Sequence, residues 1–246
     1  MPLGDLLTLG LAAAAIFVLA ALSQAVSGFG SALLAIPLLV MVMDPVPAVV
    51  TATGVSLVIS GTAWHRERAH VMVPVGRRLV LAGVLGMPLG LATLLLVSER
   101  ALGIGIGILV LVTVAALACR LKVPNSPGMH WVAGMTSGAL LTSTGMNGPP
   151  LVLAVHGVGG SARSTRATLQ TVFTVQDVLA LCAFALAGLF SQQVVIAMAA
   201  GCLGVPLGWA IGDRIFHRLS EQTFRRVILV GLSLAAVTSL VQTTTH

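Results

Sequence analysis

Seven stretches near the length of a membrane-crossing helix, residues 6–26, 47–63, 79–97, 101–119, 167–188, 193–211 and 222–241, are dominated by apolar side chains. Between Leu6 and Val26, and again between Leu79 and Val97, there is no charged residue at all. About 20 such residues in an α-helix cross the hydrocarbon of a bilayer. Charged residues make up 8% of the 246 positions, against about a quarter in a soluble domain. That is too few to clothe a globule facing water. A β-barrel is excluded because the apolar runs are continuous rather than alternating and there is no Tyr for aromatic girdles. In lipid the backbone must then satisfy itself within helices. The chain reads as an all-α polytopic membrane protein.

A secretory signal requires a basic n-region, and the first Arg is Arg66. Residues 6–26 are therefore expected to stay in the membrane. The net charge of +6 is explained by basic loops; no nucleic-acid motif accompanies it. Cys119, Cys182 and Cys202 sit in apolar runs without CxxC spacing, which fits small packing residues rather than a metal site. No cofactor is expected, and without G-x-x-x-x-G-K-[ST] no ATP coupling.

Three shorter apolar pieces remain, 31–43, 130–143 and 149–158, interrupted by Gly and Pro as broken or re-entrant transporter helices are. The chain also repeats itself. Ala82-Gly83-Val84-Leu85-Gly86-Met87-Pro88-Leu89-Gly90 recurs as Ala200-Gly201-Cys202-Leu203-Gly204-Val205-Pro206-Leu207-Gly208, 118 positions later. At an offset of 117, Ser27-Gly28-Phe29-Gly30 falls on Thr144-Gly145-Met146-Asn147, and Thr51 on Thr168. Residues 1–122 and 129–246 are read as two repeats of about five helical segments each, joined by a linker at 123–128.

Charge gives their relative orientation. The basic loops 64–78, 120–122, 163–166 and 214–226 hold 12 of the 13 Lys and Arg residues. Loop 64–78 maps onto the uncharged Leu189–Gln193, and 163–166 onto the cation-free Asp44–Pro47. Cations favour the cytoplasmic side, so equivalent loops lie on opposite sides and the repeats are inverted. This places both termini outside a bacterial inner membrane. Whether each short pair crosses or re-enters stays open; either count is odd, so the inversion holds.

Gly86/Gly90, Gly134/Gly138, Gly204/Gly208 and Gly103/Gly107 have the small-xxx-small spacing of close helix packing. The two breaks are a different matter. Ser27-Gly28-Phe29-Gly30-Ser31 and Ser143-Thr144-Gly145-Met146-Asn147-Gly148-Pro149-Pro150 each expose backbone N–H groups at the start of a short helix, an anion-binding arrangement. Ser27, Ser31, Ser143, Thr144 and Asn147 add side-chain donors, and the glycines allow close approach. A lone break would read as a kink; two at equivalent positions point to substrate binding at the midplane. Thr51 and Thr53, with Thr168 and Gln170, open the next long helix of each half. They either face the same cavity or bond back to their own helix. Asp177 is the one acid deep in a span. Such a residue costs roughly 2.5 kcal/mol or more and is functional by default. With Gln176 it is expected to bind a coupling proton or sodium ion. Its repeat counterpart is Ser60.

With these breaks and the duplicated L-G-x-P-L-G, nearly the whole chain resembles the sulfite exporter TauE/SafE family. The resemblance implies movement of sulfite or related organosulfonates. The expected function is a secondary transporter of a small oxyanion, by alternating access and without enzymatic chemistry. The alternatives are an anion channel or an uptake permease for a different small carboxylate or inorganic anion. An aspartyl intramembrane protease would need a second membrane acid, and a metalloprotease H-E-x-x-H.

Overall fold

A computed structural model describes residues 3–27, 31–119 and 123–216. The expected segment 222–241, and Gly28, Phe29 and Gly30 of the first break, lie outside the described residues. Nine α-helices are described: α1 (Leu3–Ser27), α2 (Ser31–Val40), α3 (Pro45–Glu67), α4 (Val73–Leu96), α5 (Glu99–Ala118), α6 (Pro127–Thr144), α7 (Gly148–Val158), α8 (Ala162–Leu186) and α9 (Gln192–Phe216). A 3-10 turn, Arg68–His70, follows α3. Six of them, α1, α3, α4, α5, α8 and α9, are long and apolar enough to cross a membrane. At 1.5 Å per residue, α2 and α7 reach only about 15 Å, half the hydrocarbon thickness.

Local signals fix the boundaries. Proline stands in the first turn of α3, α4, α6 and α7, where a missing N–H breaks no helical bond. Ser126 Oγ accepts from the Met129 N–H at 3.2 Å, and Ser161 Oγ accepts from the Ser164 N–H at 3.1 Å. The Ser126 cap starts α6 at Pro127, inside the stretch 123–128 read as linker, and makes it longer than the apolar piece 130–143 suggested. Pro37, Pro88 and Pro206 lie within α2, α4 and α9 without ending them.

Leu186 is 91% and Leu96 84% exposed, and Leu89, Leu203 and Leu207 also face outward. An apolar exterior of this extent suits lipid. Inside, α1 packs along α9, α4 along α6, and α3 along α8. The first two pairs are glycine-lined. Gly86 faces the Met135 carbonyl, Gly90 the Ala139 carbonyl and Gly138 the Gly83 carbonyl, each where a Cβ would collide. In the other pair Gly204 lies against the Ala14 carbonyl, Gly208 against the Val18 carbonyl and Gly201 on the Phe17 ring. These contacts bear out the packing role expected of the three glycine pairs. Rising numbers meet rising numbers in both cases, so each helix pair is parallel.

The basic segments 64–78 and 163–166 and the later part of α9 meet at one end. Arg163 pairs with Glu67 at 3.8 Å, Arg66 stacks 5.6 Å from the Trp209 ring, and the Met72 N–H donates to Thr168 Oγ1 at 2.9 Å. The chain leaves this basic end along α4 and α8 and returns to it along α3 and α9. Helices α6 and α7 form a hairpin that starts and finishes here, since Gly157 abuts the Val123 carbonyl and Gly160 faces Met72 and Ser164. By contrast α1, parallel to α9, starts at the opposite end, as does α3, so α1 and α2 together leave that end and return to it.

Candidate functional site

The start of α2 and the second break border one pocket. It is lined by Ser31, Ala32 and Leu33, by Met146, Asn147 and Gly148, and by Gln24, Ser56 and Phe173. Its volume of about 20 Å³ leaves room for about one water molecule.

The two breaks supply donors differently. Ser31, Ala32 and Leu33 are the first three residues of α2 and all carry backbone N–H groups. In α7 only Gly148 of the first three does, because Pro149 and Pro150 have none. Asn147 occupies the N-cap position of α7 without a side-chain cap bond. Its Nδ2 donates to Gln176 Oε1 at 3.2 Å instead, leaving a second amide hydrogen for a ligand. Gln176 Oε1 also accepts from Ser137 Oγ at 2.9 Å, and its amide donates to the Leu79 carbonyl at 3.4 Å. Asn147 is thus held from behind by α8, α6 and α4. Gly145, at φ 71°, ends α6 with its N–H on the Leu141 carbonyl at 2.8 Å. That left-handed turn is where glycine is favoured, and here Ile36 and the Val49 carbonyl also crowd it.

Asp177 is fully buried. Its Oδ2 accepts from Ser56 Oγ at 2.9 Å and from Ser60 Oγ at 3.3 Å, while Oδ1 has no partner. Ser56 is shared with the pocket. Asp177 and Gln176, read together in the sequence, are not brought together: successive residues of a helix point about 100° apart, so Gln176 faces α4, α6 and α7 and Asp177 faces α3.

Residues 13–239 match the sulfite exporter TauE/SafE family. The chain belongs to that family. It is accordingly a multi-pass membrane transporter and not an enzyme. No curated protein and no solved structure matches it.

In this TauE/SafE chain the remaining expected site residues divide. Ser31, Met146, Asn147 and Gly148 line the pocket. Thr53 bonds back to the Val49 carbonyl at 2.8 Å and Thr144 to the Leu140 carbonyl at 2.8 Å. Thr168 bonds to the Ser164 carbonyl at 2.8 Å as well as to Met72. All three hydroxyls bond within their own helix, which for Thr53 and Thr168 is one of the two arrangements the sequence left open. Gln170 is buried and its Oε1 accepts from Gln24 Nε2 at 3.5 Å, which places it behind a pocket residue. Thr51 is fully buried and its hydroxyl has no partner. Ser27 ends α1.

Ser56, Gln24, Phe173 and Ser137 were missed in the sequence. Ser56 and Phe173 carried a usable signal. Each lies four residues from a member of the Ser60/Asp177 pair, one turn away on the same helix face.

Proposed function

We propose that this protein is a secondary transporter of a small oxyanion, sulfite or an organosulfonate, bound between the two helix breaks. The observation that carries the reading is that the start of α2 and the second break line one pocket. The anion would rest on the N-terminal N–H groups of α2, the Gly148 N–H and the Asn147 amide, approached from two directions. A sulfite has four heavy atoms and the pocket holds about one water, so the site has to widen to load.

Alternating access between inverted repeats is supported by the packing scheme. Exchanging the halves turns α1 on α9 into α6 on α4, and leaves α3 on α8 unchanged. Ser60 and Asp177, equivalent at the offset of 117, bond to each other, as residues near a two-fold axis would. The two hairpins return to opposite ends. The pairs nevertheless differ in register. Moving α1 by 117 and α9 by 118 positions carries Ala14/Gly204 onto Trp131/Gly86 and Val18/Gly208 onto Met135/Gly90. In the second pair Gly86 meets Met135 and Gly90 meets Ala139. One pair is displaced by four residues, a helical turn, relative to the other. Unequal halves of this kind leave the site more open to one side, and exchanging the registers exposes it to the other.

The basic end is assigned to the cytoplasm of a bacterial inner membrane, which puts the N-terminus outside. The test is flux into proteoliposomes across a panel of sulfite, alkyl sulfonates and carboxylates. Saturable sulfonate or sulfite flux with counterflow supports the reading. Flux that never exceeds the imposed electrochemical gradient and shows no counterflow would instead identify a channel.

A further inference from the structure

The side chain connecting the pocket to the buried acid is Ser56. It has one hydroxyl hydrogen, one wall of the pocket to serve, and one carboxylate oxygen, Asp177 Oδ2, at 2.9 Å. An ionised carboxylate only accepts hydrogen bonds. While Asp177 is charged, Ser56 must point its hydrogen at Oδ2 and present lone pairs to the pocket. Lone pairs backed by a full negative charge repel an oxyanion. A protonated carboxyl can donate. Its O–H then satisfies the Ser56 oxygen, and the Ser56 hydrogen is free to turn into the pocket as a donor. Ser60 is not stranded by the change, because its hydroxyl has the Leu57 carbonyl at 3.4 Å as a second acceptor.

We propose that Asp177 takes up a proton together with the anion, and that Ser56 is the positioning residue that reports its protonation to the pocket. This rests on the pocket being the anion site. Among the described residues no charged group bonds to Asp177: Ser56 and Ser60 are its hydrogen-bond partners. Cys182, five positions beyond Asp177 on α8, is exposed, and the described charged groups and histidines on the elements packed against α8 are His65, Arg66 and Glu67 on α3, Arg68 and His70 in the 3-10 turn, Arg77 and Arg78 on α4, His130 on α6, His156 on α7, and Arg163 and Arg166 on α8 itself. Each of these charged groups and histidines belongs to the part of its element nearest the basic end. Arg166 is 11 positions from Asp177, about 16 Å along the axis. A change in proton occupancy of Asp177 is therefore passed to the pocket through the hydroxyl at its wall. The coupling has one sign: anion and proton favour each other's binding, and by linkage the two effects are equal in size.

Methanesulfonate is the probe, because its charge is constant over the pH range used whereas sulfite titrates within it. Binding to the purified full-length protein should tighten about ten-fold or more from about pH 8 to about pH 5. Each binding event should withdraw protons from a weakly buffered solution. Ser56→Ala should lose about ten-fold at the acid end and most of the pH dependence, for want of the donor. Asp177→Asn, whose amide donates to Ser56 as the protonated acid would, should bind with little pH dependence and no proton uptake. A wild-type affinity indifferent to pH, a requirement for sodium in place of proton uptake, or an unchanged pH profile in Ser56→Ala would each overturn the inference. Those results leave the pocket as the anion site. Absence of both methanesulfonate and sulfite binding at every pH would overturn the proposed function and this inference with it.

Discussion

The register difference between the two glycine-lined helix pairs predicts a specific movement. If the halves exchange conformations, α6 slides along α4 until it has the register that α1 holds on α9. Four residues at 1.5 Å per residue make the displacement about 6 Å. The glycine spacing makes the slide tolerable. In the present register Gly138 meets the Gly83 carbonyl and Gly134 meets Leu79 and Ala82. After one turn, by analogy with Gly201 on Phe17 and Gly208 on Ala21, Gly134 meets Gly83 and Gly138 meets Gly90. Small residues four apart keep backbone facing backbone in both positions, so neither register is blocked by a side chain. Paired cysteines read the register directly. Leu89 is outward-facing and adjoins Gly90, which now sits at Ala139. Cysteines at 89 and 139 should be joined by a short bifunctional reagent in this state, and cysteines at 89 and 135 in the other. A substrate gradient should move yield from the first pair to the second, and locking the first should stop transport. Full transport with 89 and 139 locked, or no 89–135 product under any gradient, would refute the slide.

Three further outcomes are expected. Asn147→Ala removes one ligand donor and the bond to Gln176, and should weaken sulfonate binding by about 1.5–3 kcal/mol, roughly ten- to a hundred-fold, with unchanged yield of folded protein; equal affinity in a titration would remove Asn147 from the site. Gly138→Val drives a side chain into the Gly83 carbonyl and should cost about 1–3 kcal/mol or more of stability, seen as a lowered melting temperature in detergent, whereas Gly105→Val on α5, where a Cβ meets nothing within 4 Å, should melt near the wild type. Cysteines at Ser191 and His70, both exposed, should react with an impermeant reagent from outside and from the cytoplasm respectively; reaction of both from one side would rule out the opposed loops.

Much of the helical pattern was legible because lipid imposes a single strong requirement, an uninterrupted apolar run. The short helices were legible as well, from the Gly and Pro that bound them. Less visible was what depends on partners distant in sequence. For Thr53 and Thr168 the sequence left a cavity-facing and a helix-internal role open, and in the structure both hydroxyls bond the carbonyl one turn back. Gln176 and Asp177 are neighbours in sequence and face different helices. Ser56 reads as an ordinary helix-surface serine until α8 is packed against α3 and supplies the carboxylate.

The prolines after the second break alter how the pocket divides its labour. A helix N-terminus attracts anions through both its dipole and its free N–H groups. Pro149 and Pro150 leave α7 the dipole and take away two of the hydrogens, while α2 keeps its full set. In the proposed site the two helix starts would therefore differ: α2 offers backbone hydrogens and the Ser31 hydroxyl, α7 a side-chain amide and a field. Asn147 is fixed by Gln176 on α8, and Ser56 by Asp177 on the same helix. Two of the polar side chains on the pocket wall are thus positioned by adjacent residues of α8. A rotation or shift of α8 would disturb both at once, so in the proposed mechanism this helix, rather than either break, would communicate loading of the site to the bundle.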